Sequence, residues 1–171
     1  MKKPGFLVLY LLLIIAQVLL NNFSFFERYV LVTFLPVMIM CIPVDKGTIF
    51  CMAVAFLTGF AVDFLGDGML GLTSLSLVPV ALARNGIISL VFGSELFARG
   101  ENISLRKQGV GKMILGTLLM TAIFLAVYIT ADGAGTMPFL YNLAKGGVSL
   151  FVSTALSFFI AHFLTSDEKW K

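Results

Sequence analysis

Residues 47–72 read GTIFCMAVAFLTGFAVDFLGDGMLGL, an apolar block that ends in a glycine-rich turn. The apolar block carries a single charged side chain, Asp63. A run of about 17–25 apolar residues is long enough for a helix to cross the hydrocarbon layer of a bilayer. Asp67-Gly68 is a strong turn signal, and a second apolar block follows from Met69. The stretch therefore predicts two membrane-crossing helices joined by a tight hairpin.

The rest of the chain has the same character. It is 59% hydrophobic and 12% charged, about half the charged fraction of ~25% that is usual in soluble proteins. The sequence predicts an all-α integral membrane protein, a six-transmembrane-helix bundle that forms one domain over residues 1–171. The predicted spans are residues 5–20, 29–42, 47–64, 69–92, 112–131 and 143–164. The second span is short and contains Pro36, so we expect it to be kinked or thin.

Lys and Arg are distributed unevenly between the two sides of these spans. If the N-terminus lies inside, two of the twelve basic residues, Arg28 and Lys145, lie outside and Arg84 lies within a span. The other nine lie inside: Lys2, Lys3, Lys46, Arg99, Arg106, Lys107, Lys112, Lys169 and Lys171. Cytoplasmic loops of membrane proteins carry such an excess of positive charge. Both termini are therefore predicted to be cytoplasmic.

Ionisable residues within spans are costly and often functional. Asp63 shares a helix face with Gly59, and small residues at that spacing let neighbouring helices approach closely. Arg28 or Lys145 could meet Asp63 at the outer side. Arg84 lies too deep to pair with Asp63, so we expect it to reach the inner headgroups or to meet Asp45 or Glu95.

The hairpin itself has two interpretations that the sequence leaves open. In the first, its carboxylates serve only to cap the helix that follows, since an Asp near a helix N-terminus accepts hydrogen bonds from free backbone N–H groups. Alternatively, the hairpin is a conformational and interaction element. The residues involved are Gly59, Asp63, Asp67, Gly68 and Gly71.

The last span carries a second candidate feature. Ser149, Ser153 and Ser157 form a stripe at a spacing of four, which predicts a helix-packing face within the bundle or for a partner helix. Cys41 and Cys51 lie at span ends on the predicted cytoplasmic side, where reduced thiols are expected.

No motif predicts catalytic, cofactor-binding or metal-binding residues. Gly59, Asp63 and Asp67 match half of the CDP-alcohol phosphotransferase signature, but the Asp-Gly-x-x-Ala-Arg stretch that the signature requires is missing. The region around Asp45 reads DKGTIF instead. We therefore expect no enzymatic activity, and no nucleic acid partner because no basic run or RNA-binding motif is present.

The hairpin sequence, Gly59…Asp63-Phe-Leu-Gly-Asp67-Gly68-Met-Leu-Gly71-Leu, resembles that of the rod shape-determining protein MreD family. Members of that family are small six-span proteins of the bacterial cytoplasmic (inner) membrane with cytoplasmic termini. Their fold is similar to that of the substrate-binding S components of energy-coupling-factor transporters. The resemblance carries over Gly59, Asp63, Gly68 and Gly71 as a conformational and interaction element.

This resemblance implies a non-enzymatic scaffold or regulator of cell shape. The expected partner is a bitopic MreC-like protein, within a complex that includes RodA, a class B penicillin-binding protein and MreB and that guides sidewall peptidoglycan synthesis. The alternative is an S-component-like solute-binding subunit of a transporter. That alternative needs a polar cavity near the outer surface, which Asp63, Asn22, Asn142 and Arg28 could line.

Overall fold

The computed structural model describes residues 6–23, 30–66, 69–93, 103, 108–132 and 139–165. These residues form helices and connecting segments, with no β-strand among them. The helices are α1 (Phe6–Phe23), α2 (Leu35–Met40), α3 (Thr48–Leu65), α4 (Leu72–Phe92), α5 (Val110–Asp132) and α6 (Phe139–Thr165). Four of them, α3 to α6, contain stretches long and apolar enough to cross a membrane. The expectation of an all-helical fold is thereby confirmed for the described residues, and these four helices are compatible with a membrane bundle.

Helices α3 and α4 form the predicted antiparallel hairpin. Two contacts fix their register. Near the turn, a Cβ built on Gly59 would lie 2.5 Å from the backbone Cα and N of Ser74, so only glycine fits there. At the other end, Asn85 Nδ2 donates a hydrogen bond of 2.9 Å to Thr48 Oγ1. The backbones therefore touch at Gly59, as small residues at membrane helix interfaces allow.

Residues 29–42 were predicted as one spanning helix, and the structure corrects this. Residues 30–34 are not helical, and the helix that follows, α2, is only six residues long. Pro36 lies in the first turn of α2, where a residue without a backbone N–H is tolerated. Pro36 cannot donate to the carbonyl four residues earlier, which disfavours continuation of the helix toward the N-terminus. Hereafter, residues 30–34 are called the non-helical segment.

Helix α2 lies at the centre of the molecule. Every residue of α2 is buried, and it packs against each of the other five helices. Helix α1 lies at the periphery, where the hydroxyl groups of Tyr10 and Thr58 are joined by a hydrogen bond of 2.9 Å. Non-helical backbone is tolerated at membrane depth only where protein surrounds it. The arrangement of the long helices around α2 meets that condition.

Candidate functional site

The carboxylate of Asp63 ties the end of α3 to the start of α4. Its Oδ2 accepts hydrogen bonds from the backbone N–H groups of Gly71 (2.9 Å) and Thr73 (3.1 Å), and its side chain is buried. Gly71 has φ +91°, a left-handed conformation that favours glycine at this N-cap position. The free N–H groups and the dipole at a helix N-terminus both stabilise a carboxylate. The capping interpretation is confirmed for Asp63.

The structure describes only some of the predicted hairpin residues. Gly59, Asp63 and Gly71 are brought together as described above, whereas Asp67 and Gly68 lie outside the described residues. Lys145, a suggested partner of Asp63, instead lies 3.5 Å from the carboxylate of Asp132 at the end of α5.

The serine stripe faces the interior of the bundle and not a foreign helix. Ser149 Oγ accepts the backbone N–H of Leu31 at 2.9 Å. Ser153 Oγ accepts the N–H of Thr33 at 3.1 Å and donates to the carbonyl of Leu31 at 3.0 Å. Ser157, also fully buried, has no hydrogen-bond partner among the described residues. Two of the three serines therefore replace hydrogen bonds that a continuous helix would have made internally.

Gln17 on α1 serves the same segment from the opposite side. Its Nε2 donates to the carbonyl of Val32 at 3.0 Å, and its Oε1 accepts the N–H of Phe34 at 3.1 Å. Val32 is the residue whose carbonyl Pro36 would have bonded in a continuous helix. Gln17 thus supplies the donor that proline lacks, and its side chain is only 1% exposed. Sequence analysis did not single out this glutamine, although a polar side chain within an apolar span was the available signal.

Arg84 on α4 holds the other end of α2, and its hydrogen-bond partners are backbone carbonyls that were not predicted. The guanidinium does not reach the headgroups, since the residue is 0% exposed. It donates to the carbonyls of Ile39 (3.0 Å), Met40 (3.4 Å) and Ile42. The last carbonyls of a helix have no intrahelical donor, and a cation there also complements the helix dipole.

Together these side chains form a buried polar frame, which we define as Gln17, Arg84, Ser149 and Ser153. The frame holds the backbone of residues 31–42 from three different helices. Most of its hydrogen bonds are made with peptide groups of these residues, and Gln17 and Arg84 also donate to the side chains of Asn21 (2.7 Å) and Asn85 (3.3 Å). Chemically, the arrangement stabilises a break in a buried segment of the chain.

The described residues suggested for a solute cavity occupy different environments. Asp63 is engaged in capping α4. Asn22 is exposed at the end of α1, Asn142 is half-buried, and Arg28 lies outside the described residues. Within the described ranges, no group of three His, Cys, Asp or Glu side chains is placed to hold a metal ion. Cys41 and Cys51 are free thiols, the second of them buried.

Comparison of this chain with known protein families, with characterised proteins and with solved structures finds no match.

Proposed function

We propose that this chain is a non-enzymatic membrane scaffold of the MreD type. It acts in a bacterial cytoplasmic membrane with a single-span MreC-like partner, within a complex that guides sidewall peptidoglycan synthesis. The observation that carries the proposal is the α3–α4 hairpin, in which Gly59, Asp63 and Gly71 lock two membrane-spanning helices together. These are residues of the motif on which the resemblance to MreD depends.

The proposal includes six crossings with both termini in the cytoplasm. Helices α3 to α6 account for four crossings, and α1 is an apolar helix of 18 residues. The remaining crossing falls to the non-helical segment and α2. Five non-helical residues extend up to about 16 Å and six helical residues about 9 Å, which together approach the ~30 Å of a hydrocarbon layer. The even number agrees with the positive-inside distribution of Lys and Arg.

The interior polar groups form hydrogen bonds within the chain itself, which favours a scaffold over a solute-binding subunit. A ligand site needs convergent polar groups that are directed at the ligand. In this bundle the polar frame is directed at the backbone of residues 31–42, and Asp63 is directed at α4. The same engagement disfavours an enzyme, because the buried carboxylate and the buried cation both have structural partners.

Two of the exposed helix faces carry aromatic side chains that a partner could contact. On α3, the rings of Phe56, Phe60 and Phe64 stack in succession with centroids 6.3 and 6.2 Å apart, and all three are exposed. On α6, Phe151 and Phe159 are exposed. Apolar side chains at a membrane-facing surface pack equally well against lipid or a foreign helix, so a scaffold can use either face.

Co-purification and depletion test the proposal together. The tagged protein is solubilised in mild detergent from its own cells, and the bound proteins are identified by mass spectrometry. We expect a single-span partner in near-stoichiometric amount, and rounded cells when the protein is depleted. Asp63→Asn provides the matched variant, since the amide still accepts a hydrogen bond and a scaffold should keep its partner. Retention of a stoichiometric small solute in place of a protein partner would support the transporter alternative.

Site-specific photo-crosslinking then locates the partner face. A photoreactive amino acid replaces Phe60 on α3 or Phe151 on α6, one position at a time. We expect a crosslinked adduct with the single-span partner at one of these positions. Leu90 on α4 is the matched control, because it is as exposed as Phe151 (79% against 78%) but lies on a different helix. Equal crosslinking at all three positions would indicate non-specific collisions and would contradict a defined scaffold interface.

A further inference from the structure

Helix α2 ends in a cluster of oxygen atoms around the guanidinium of Arg84. The Nε atom donates to the carbonyl of Ile39 at 3.0 Å, and Nη2 donates to the carbonyls of Met40, at 3.4 Å, and Ile42. The third nitrogen, Nη1, donates to the side-chain oxygen of Asn85 at 3.3 Å. We call these four acceptors the α2 oxygen cluster. Each nitrogen of the guanidinium therefore has an acceptor in the cluster.

Every acceptor in the α2 oxygen cluster is uncharged. Among the described residues, no carboxylate lies within ion-pair distance of Arg84, which is 0% exposed. The cation is thus bound by carbonyl and amide oxygens alone. In transporters, backbone carbonyls at the ends of broken membrane helices coordinate free cations. The end of α2 has the same chemistry, but a side chain of the chain itself occupies it.

The oxygen cluster is also positioned by contacts that do not involve Arg84. Asn85 Nδ2 donates to Thr48 Oγ1 at 2.9 Å, which directs the amide oxygen of Asn85 toward the guanidinium. The backbone N–H of Cys41 donates to the carbonyl of Val37 at 2.9 Å and completes the last turn of α2. A site whose groups are positioned before its ligand arrives loses less free energy on binding. We therefore expect the cluster to keep its arrangement when the Arg84 side chain is shortened.

The oxygen cluster lies near the predicted cytoplasmic end of the bundle. Ile42 is followed by a turn in which the N–H of Lys46 donates to the carbonyl of Pro43 at 3.2 Å. The side chains of Asp45 and Lys46 in this turn are 63% and 48% exposed. The chain thus passes from buried to exposed within a few residues of the cluster. A small solute can reach the end of α2 from this surface once the side chain that fills the cluster is shortened.

We propose that the α2 oxygen cluster is a binding site for a guanidinium cation, which Arg84 fills as a tethered ligand. A guanidinium presents its donors in a fixed planar fork, and the cluster accepts from all three of its nitrogens, whereas an ammonium presents its donors from one nitrogen. The wild-type protein therefore exchanges no free cation at this break, and a protein without the side chain binds an external guanidinium compound. This inference is independent of the scaffold role, since it depends only on contacts between α2, α3 and α4.

Chemical rescue of the full-length protein tests the proposal. Arg84→Ala keeps Cβ and removes the atoms that make up N-ethylguanidinium, which is therefore the matched probe. We expect this variant to melt below the wild-type temperature in detergent. N-Ethylguanidinium at about ten times its dissociation constant should raise the melting temperature of the variant by about 3–6 °C. n-Propylammonium has the same charge without the planar fork and should raise it much less.

Two proteins serve as controls for this rescue. Leu77→Ala removes another fully buried side chain from α4 but uncovers no oxygen cluster, and the wild type keeps its tethered ligand. N-Ethylguanidinium should not raise the melting temperature of either protein. An equal rise in Leu77→Ala, an equal rise with n-propylammonium, or no rise in Arg84→Ala would overturn the proposal.

The yield of folded protein gives a second readout if Arg84→Ala is recovered mainly as aggregate. The variant is then purified with and without N-ethylguanidinium, and the amount of monodisperse protein is compared by gel filtration. We expect the yield to rise at least several-fold with N-ethylguanidinium and not with n-propylammonium, because only the first restores the hydrogen bonds of the cluster. An unchanged yield would contradict the proposal as clearly as an unchanged melting temperature.

Discussion

Removal of the Ser153 hydroxyl is the sharpest test of the polar frame. Ser153 Oγ accepts the N–H of Thr33 and donates to the carbonyl of Leu31, whereas Ser149 Oγ accepts only the N–H of Leu31. An alanine at 153 therefore leaves two buried peptide groups without these partners, and an alanine at 149 leaves one. Each buried group left unsatisfied costs about 1–3 kcal/mol. We expect Ser153→Ala to lower the free energy of unfolding by about 2–6 kcal/mol and Ser149→Ala by about half as much.

The measurement is reversible unfolding of the purified protein in mixed micelles, followed by circular dichroism. Ser89→Ala is the matched control, since Ser89 lies on the exposed face of α4 and should change stability by less than about 0.5 kcal/mol. We expect Ser153→Ala to be the most destabilising of the three substitutions and Ser89→Ala the least. This order follows the number of peptide groups that lose a partner. If Ser153→Ala were as mild as the control, the serines would not be holding the non-helical segment and the reasoning would fail.

Three further predictions follow from other contacts. Gly59→Ala should destabilise the protein by about 1–3 kcal/mol, because the added Cβ would meet backbone atoms of α4. Gly86→Ala, which has open space in the same hairpin, should stabilise the protein by about 0.5–1 kcal/mol, and thermal unfolding of both variants measures the two effects. Arg84→Met should destabilise the protein more than Arg84→Lys in the same assay, since methionine offers no donor to the α2 carbonyls, and an equal effect would show that the hydrogen bonds do not matter. In a protein whose Cys41 and Cys51 are replaced, Gly66→Cys should react with an impermeant thiol reagent in intact cells, whereas Gly47→Cys should react only after lysis. The reverse pattern would contradict the proposed orientation.

The α3–α4 hairpin could be predicted from the sequence because its signals are local. Asp67-Gly68 marks a turn, and an Asp four residues after a Gly places both on one helix face. The capping role of Asp63 followed from the chemistry of helix N-termini. The inward direction of the serine stripe could not be predicted, since a row of small residues packs equally well against a neighbour in the same chain or a foreign helix.

The break at residues 30–34 could not be predicted because apolar composition does not distinguish a buried helix from a buried non-helical segment. Pro36 indicated a kink, and a kinked helix is the usual outcome within a membrane. The decisive contacts come from Gln17 and Ser153, which are distant from Pro36 in sequence. The hydrogen-bond partners of Arg84 could not be predicted for the same reason. Its depth followed from the helical rise, but the free carbonyls that hold it exist only because α2 is short.

These contacts change how polar residues within the spans should be interpreted. An ionisable or polar side chain at membrane depth is by default a candidate for ligand or ion binding. In this protein Gln17, Arg84 and Ser153 instead supply hydrogen bonds that the break in the second predicted span removes. Because one break requires donors and acceptors from three different helices, the bundle cannot open at α2 without exposing peptide groups to lipid. That coupling favours a rigid body that presents fixed helix faces, as a scaffold does, over a subunit that must open and close around a solute.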